Sequence, residues 1–191
     1  NDAAYVTSGA AAGLYLATLA CGLTTNPADG QTILGRRRHE VVIHRSQRNA
    51  YVPSIELAGA TIVEIGDEAG ATEHGLEDAL RRSTLAVFYF AGAHPANGAL
   101  PLETVIAMAH AEGVPVVVDA AAQLPPVENL WKFTLEMGAD LAIFSGGKGL
   151  RGPQSSGLLL GRHDLIEVAR AHGAPNPQRG RPMKVGKEEM L

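Results

Sequence analysis

One lysine stands among small residues in Phe144-Ser145-Gly146-Gly147-Lys148-Gly149-Leu150-Arg151-Gly152-Pro153-Gln154. It follows the apolar run Leu141-Ala142-Ile143-Phe144, which reads as a buried strand. Lys148 therefore sits where a strand leaves a sheet. Burial disfavours the charged form, so a partly desolvated lysine gives up its proton more easily. A neutral amine attacks carbonyls and holds an aldehyde as a Schiff base. The flanking glycines leave room for something flat beside it. A second run, Val114-Pro115-Val116-Val117-Val118-Asp119, ends on a carboxylate. The stretch from Glu128 to Met137 between them is helix-like, giving one strand–helix–strand unit. Such units are right-handed and make parallel neighbours. Lys148 and Asp119 then emerge together at the carboxyl ends of parallel strands, where open α/β sheets place their ligands.

A third group lies in Tyr5-Val6-Thr7-Ser8-Gly9-Ala10-Ala11-Ala12-Gly13, which passes through small residues into a helix over Ala11 to Ala20. Backbone N–H groups at a helix N-terminus bind anions. Ser8 adds a hydroxyl, and Gly9 lets the backbone approach closely. Ser8 to Ala11 thus read as a phosphate cup, a geometry compatible with Ser8 being an ordinary N-cap. An amine for an aldehyde and a carboxylate for a ring nitrogen are what pyridoxal phosphate needs, because a protonated ring acts as an electron sink. A nucleotide P-loop around Lys148 fails: Ala142 stands where its first glycine belongs, and Gly149 where its Ser/Thr belongs.

These segments resemble the large domain of fold type I pyridoxal-phosphate enzymes. More narrowly they resemble the selenocysteine synthase (L-seryl-tRNA selenium transferase)-like group, which includes D-glucosaminate-6-phosphate ammonia-lyase. The residues that carry the likeness are Thr7 to Gly13, Val118-Asp119-Ala120-Ala121-Ala122-Gln123-Leu124-Pro125-Pro126, Ser145-Gly146-Gly147-Lys148 with Gly152-Pro153-Gln154, and Met183-Lys184-Val185-Gly186-Lys187-Glu188. The resemblance implies that Lys148 is the Schiff-base lysine and Asp119 the partner of the ring nitrogen. It implies that Ser8, Gly9, Ala10 and Ala11 hold the phosphate, with Ser145 beside them. It also implies a lyase acting by elimination on an amino acid or amino sugar acid, with Lys148 moving the proton at the α-carbon. Self-association into a homo-oligomer belongs to the same expectation. The alternatives are a selenium transferase on seryl-tRNA, another enzyme of the cofactor (aldolase or aminotransferase), a non-catalytic paralogue, and a nucleotide-binding α/β domain.

The 191 residues suffice for one sizeable α/β domain, here 1–191. By the resemblance this is the cofactor-binding large domain of a longer protein, without its N-terminal segment and C-terminal small domain. A formal net charge of -4 gives no basic footprint for nucleic acid, which ranks the tRNA alternative lower. Arg36-Arg37-Arg38 and the run from Arg179 to Lys187 read as solvated loops. One cysteine, Cys21, precludes a disulfide framework and reads as a buried thiol in the first helix. No signal peptide or apolar stretch of membrane length is visible, so the expected setting is cytoplasmic. No histidine spacing points to a metal.

The elements that must position these groups alternate as in an α/β layer fold. Expected strands are Val41 to Ile43, Thr61 to Ile65, Leu85 to Phe90, Pro115 to Val118, Leu141 to Phe144 and Ser156 to Leu160. Expected helices are Ala11 to Ala20, Val52 to Ala58, Gly75 to Arg82, Pro101 to Glu112, Glu128 to Met137 and Asp164 to His172. A further helix is expected to start at Lys187. The Gly/Pro-rich link between Phe144 and Ser156 has no room for a crossover helix, so the last strand should run antiparallel in an otherwise mostly parallel, three-layer sheet.

Further candidates sit at strand ends. His44 follows Val41 to Ile43, where related folds place a ring stacked on the cofactor. Arg48, in the polar run His44 to Asn49, suits an anionic substrate group through a bidentate contact. His94 follows the strand Leu85 to Phe90 and reads equally as a site residue or part of the turn Pro95 to Gly98. Gln123 reads equally as a cofactor contact and as a loop cap.

Overall fold

The computed structural model describes residues 1–24, 39–92 and 98–190. Seven strands form one sheet: β1 (Ala3–Thr7), β2 (Glu40–His44), β3 (Thr61–Ile65), β4 (Thr84–Phe90), β5 (Val116–Asp119), β6 (Leu141–Ser145) and β7 (Gly157–Gly161). Their order is β1-β7-β6-β5-β4-β2-β3. The pairs β2–β3, β2–β4, β4–β5 and β5–β6 are parallel. Only β7 is reversed, pairing antiparallel with β6 (Phe144↔Leu158) and with β1 (Val6↔Leu158). That is the strand expected to reverse. The short link after β6 turns the chain straight back, as a hairpin does and a crossover cannot.

Helices α1 (Ala10–Thr24), α2 (Pro53–Leu57), α3 (Glu73–Ala79), α4 (Leu102–Ala111), α5 (Asn129–Trp131) and α6 (His163–His172) cover both faces. Successive strand side chains point to opposite faces, and the core divides accordingly. Val41, Ile43, Leu141 and Ile143 join Leu14 and Leu19 of α1 and Ile166 of α6. Val42, Val87, Val116, Val118 and Phe144 join Leu76 of α3 and Val105 of α4. The face expected of α4 (Leu102, Val105, Ile106, Ala109) is buried. On α1, Gly13 allows the close approach to β6: a Cβ there would lie 2.8 Å from Ile143 Cγ2. The start of α1 is thereby drawn toward the sheet edge from which Lys148 emerges.

Three expectations shift. α3 begins at Glu73 because Thr72 caps it, its Oγ1 accepting the Gly75 N–H at 3.1 Å. The segment expected as a helix from Glu128 is a short α-turn, Asn129–Trp131, that widens into a π-turn over Lys132–Glu136. Lys187–Glu189 is a 3-10 turn, closed by Glu189 accepting from the Gly186 N–H at 2.7 Å. Among the described residues, no helix is long and apolar enough to cross a membrane.

At the amino end of the sheet, Asp140 ties three elements together. Its carboxylate accepts the Val116 N–H at 2.8 Å, His110 Nε2 at 2.9 Å and Arg162 Nη1 at 2.7 Å, and the residue is 5% exposed. Asp140→Ala strands the buried Val116 N–H, a loss of about 1–3 kcal/mol. The half-exposed Arg162 adds little. Urea unfolding of the variant is expected to show that decrease.

Candidate functional site

β5 and β6 deliver the two charged groups side by side. Asp119 closes β5, paired with Ile143 of β6 and Phe90 of β4. Past it, the Ala120 N–H donates to Ile143 O at 2.9 Å, keeping the strand end against β6. Asp119 is 8% exposed, and its Oδ1 accepts the Ala121 N–H at 2.9 Å. Burial pushes its carboxyl above the usual carboxylate range, while the Ala121 N–H and the Lys148 charge pull it back. A positive partner at this carboxylate would relieve that burial cost.

Lys148 lies in the turn after β6. The Gly146 N–H donates to Ser156 O at 2.8 Å, and the Arg151 N–H closes the turn on Lys148 O at 2.9 Å. Gly149 packs on the loop after Asp119, where an added Cβ would collide with Leu124 O. The lysine and carboxylate loops are thus held in contact by backbone. Lys148 itself is exposed, contrary to the expected desolvation, because it stands on the rim of the cleft rather than its floor.

The third group comes from the turn between β1 and α1. Gly9 has φ +138, a conformation open to glycine, and the Gly13 N–H begins the helix ladder on Gly9 O at 3.0 Å. The N–H groups at the start of a helix have no partner within it and present a positive end. β7 packs closely behind: a Cβ on Gly157 would meet Gly9 C at 2.8 Å.

These parts line one cleft of about 390 Å³. Of the residues expected from the sequence it gathers Gly9, Ala10, Ala11, Asp119, Ser145 and Lys148. Ser8 is not among its lining, because its hydroxyl donates instead to Met183 O at 3.2 Å. Gln123 turns behind the wall, its amide donating to Ala91 O at 3.0 Å. Arg48 is ion-paired with Glu64 at 2.5 Å. His44 is buried outside the cleft, edge-on to Tyr89 with centroids 5.6 Å apart, so the stacking position expected of it is not where its ring lies. Burial lowers its pKa to about 4, leaving the ring neutral near pH 7. His94 lies outside the described residues.

Three polar side chains in the cleft were not named as site residues: Asn49, Tyr51 and Gln154, the last quoted only within the Gly152-Pro153-Gln154 motif. Asn49 Oδ1 accepts the Tyr51 N–H at 2.8 Å, an Asx turn that sets the loop. Tyr51 is 54% exposed, a large aromatic surface left open in the cleft that Asp119 also lines. The polar run before them was the available signal; which of its side chains face the cleft depends on the turn after β2.

The chain matches the family described as Aminotransferase class-V over residues 2–174. It belongs to that family. The family and fold are those of pyridoxal-phosphate enzymes, of fold type I. Among its class-V relatives, the chain is 35% identical over its whole length to a 5'-C-glycyluridine monooxygenase-decarboxylase of Streptomyces, of which it covers 48%. It is 32% identical over 98% of its length to D-glucosaminate-6-phosphate ammonia lyase of Salmonella typhimurium, covering 50%. A solved D-glucosaminate-6-phosphate ammonia-lyase superposes with a TM-score of 0.84 at 32% identity, over 98% of this chain and 50% of that one. The chain therefore spans about half the length of these relatives.

The class-V assignment can be tested against the cleft. Pyridoxal phosphate asks for an amine at its aldehyde, a carboxylate at its ring nitrogen and an anion cup at its phosphate. Lys148, Asp119 and the start of α1 present groups of these kinds from three chain segments converging on one cleft, and among the described residues no cation is ion-paired with the buried Asp119. The residues present fit the group.

Proposed function

We propose that this chain forms the pyridoxal-phosphate site of a lyase that acts by elimination on an amino acid or amino sugar acid. The convergence of Lys148, Asp119 and the α1 N-terminus on one cleft carries the reading. The bound cofactor would supply an electron sink next to the substrate's α-carbon. Lys148 would hold the aldehyde and, once released by the substrate amine, take the α-proton on Nζ. Asp119 would keep the ring nitrogen protonated by placing its charge beside it. Gly9, Ala10 and Ala11 would hold the phosphate by main-chain N–H groups, fixing the reacting end opposite Lys148. Self-association is part of the same proposal, and sedimentation would check it.

The test is borohydride reduction of the intact protein with pyridoxal phosphate, peptide mapping, and then assay of ammonia release from amino sugar acids. An adduct on Lys148 and ammonia release are expected. A second reading follows from the 35% identity to a monooxygenase-decarboxylase: carbon dioxide release with oxygen consumption would favour it.

A further inference from the structure

β2 and β4 part at the carboxyl edge of the sheet. Their parallel ladder reaches Val42↔Val87 and pairs nothing beyond it, while β4 stays with β5 as far as Phe90↔Asp119. One side chain fills the opening. Gln47, at the end of the 3-10 turn Arg45–Gln47 after β2, is 1% exposed, and its Oε1 accepts the Phe90 N–H at 3.0 Å. It takes the place of the strand acceptor that β2 no longer offers. Phe90 lines the cleft. Just past the end of β4, the Ala91 N–H donates to Asp119 O at 2.8 Å. An unbroken path of main chain and hydrogen bonds thus runs from Gln47 through Phe90 and Ala91 to the residue bearing the cleft's carboxylate.

The wedge is a poor choice for stability alone. Gln47 Nε2 and both ring nitrogens of His44 are buried without a partner at full hydrogen-bond geometry among the described residues, although Gln47 lies close enough to His44 and Tyr89 to act on the titration of both. Buried polar groups left short of full hydrogen bonding cost stability and are few in native proteins. An apolar side chain would avoid the Gln47 share of that cost but leave the Phe90 N–H unheld.

We infer that Gln47 is a positioning residue for the cleft: its side-chain oxygen fixes the carboxyl end of β4 and, through Ala91, the seat of Asp119. The inference rests on the reading of this cleft as a pyridoxal-phosphate site. Gln47 is buried and does not line the cleft, so it would act only through the strand end.

The experiment compares the intact parent protein with Gln47→Met, Gln47→Glu and Asp140→Ala. Two quantities are read: urea stability without cofactor, and the dissociation constant for pyridoxal phosphate with the yield of reduced adduct on Lys148. Gln47→Met keeps the length but loses the oxygen. It is expected to weaken cofactor binding about tenfold, out of proportion to any change in stability. Gln47→Glu retains an acceptor and is expected to recover most of the affinity. Asp140→Ala, destabilised at the far edge of the sheet, is expected to bind as the parent does. Affinity of Gln47→Met within twofold of the parent overturns the inference alone. So does equal weakening in Asp140→Ala, which would reduce the effect to stability. No adduct on Lys148 in the parent overturns the cofactor reading and the inference with it.

Discussion

Lys148→Ala is expected to abolish covalent retention of pyridoxal phosphate and to lower turnover by more than about a thousandfold, since in the proposed mechanism the same Nζ would both hold the aldehyde and move the proton. Its stability should stay within about 0.5 kcal/mol of the parent, because an exposed lysine without an ion pair among the described residues contributes little to folding. The two halves of the result are informative together. Loss of the adduct with an unchanged urea midpoint assigns the effect to the amine. The flanking glycines sharpen the point: Gly149 faces Leu124 O so closely that even alanine there would push the lysine loop off the Asp119 loop. Borohydride trapping with peptide mapping checks the first half, and equilibrium unfolding the second. An adduct that persists in Lys148→Ala would remove this lysine from the proposed mechanism.

The parts legible in the sequence were those written by local pattern. Continuous apolar runs marked β4, β5 and β6, since strands buried on both faces need no polar alternation. The Gly/Pro link after Phe144 forced the reversal of β7. β1 was missed as a strand: Ala3-Ala4-Tyr5-Val6-Thr7 is short, opens on two alanines and runs straight into the small residues before α1, and it is held by pairing with β7, 150 to 158 residues away. That Lys148, Asp119 and the start of α1 meet at one cleft was readable because each closes or opens an element whose direction the topology dictates. His44, Ser8 and Gln123 were placed correctly along the chain, but their side chains turn away from the cleft. Strand ends bend there, and the facing is set by contacts such as Gln123 on Ala91 O and Ser8 on Met183 O. Tyr51 went unnoticed for the same reason: its position depends on the turns after β2.

Asp119→Asn separates stability from function more sharply than any other change in this cleft. Without cofactor, the buried Asp119 holds its proton more tightly in the folded chain than in the unfolded one. Its contribution therefore falls as pH rises from the unfolded carboxylate value, about 3.9, through its raised folded value. Above that window the ionised carboxylate is a standing cost. Asparagine keeps an oxygen for the Ala121 N–H and removes the charge, so the cofactor-free variant should be at least as stable as the parent at pH 7. It should also lack this part of the acid-range pH dependence. Function moves the other way. The carboxylate earns its place only when a protonated ring nitrogen stands opposite it, and the amide cannot hold that proton by charge. Removing one preoriented electrostatic partner of this kind costs about 10²–10³ in kcat. Urea unfolding from pH 3 to 8, beside turnover of the reconstituted enzyme, reads both effects. A cofactor-free variant clearly less stable than the parent at pH 7 would mean that Asp119 is paired within the folded chain, and its role would then be structural.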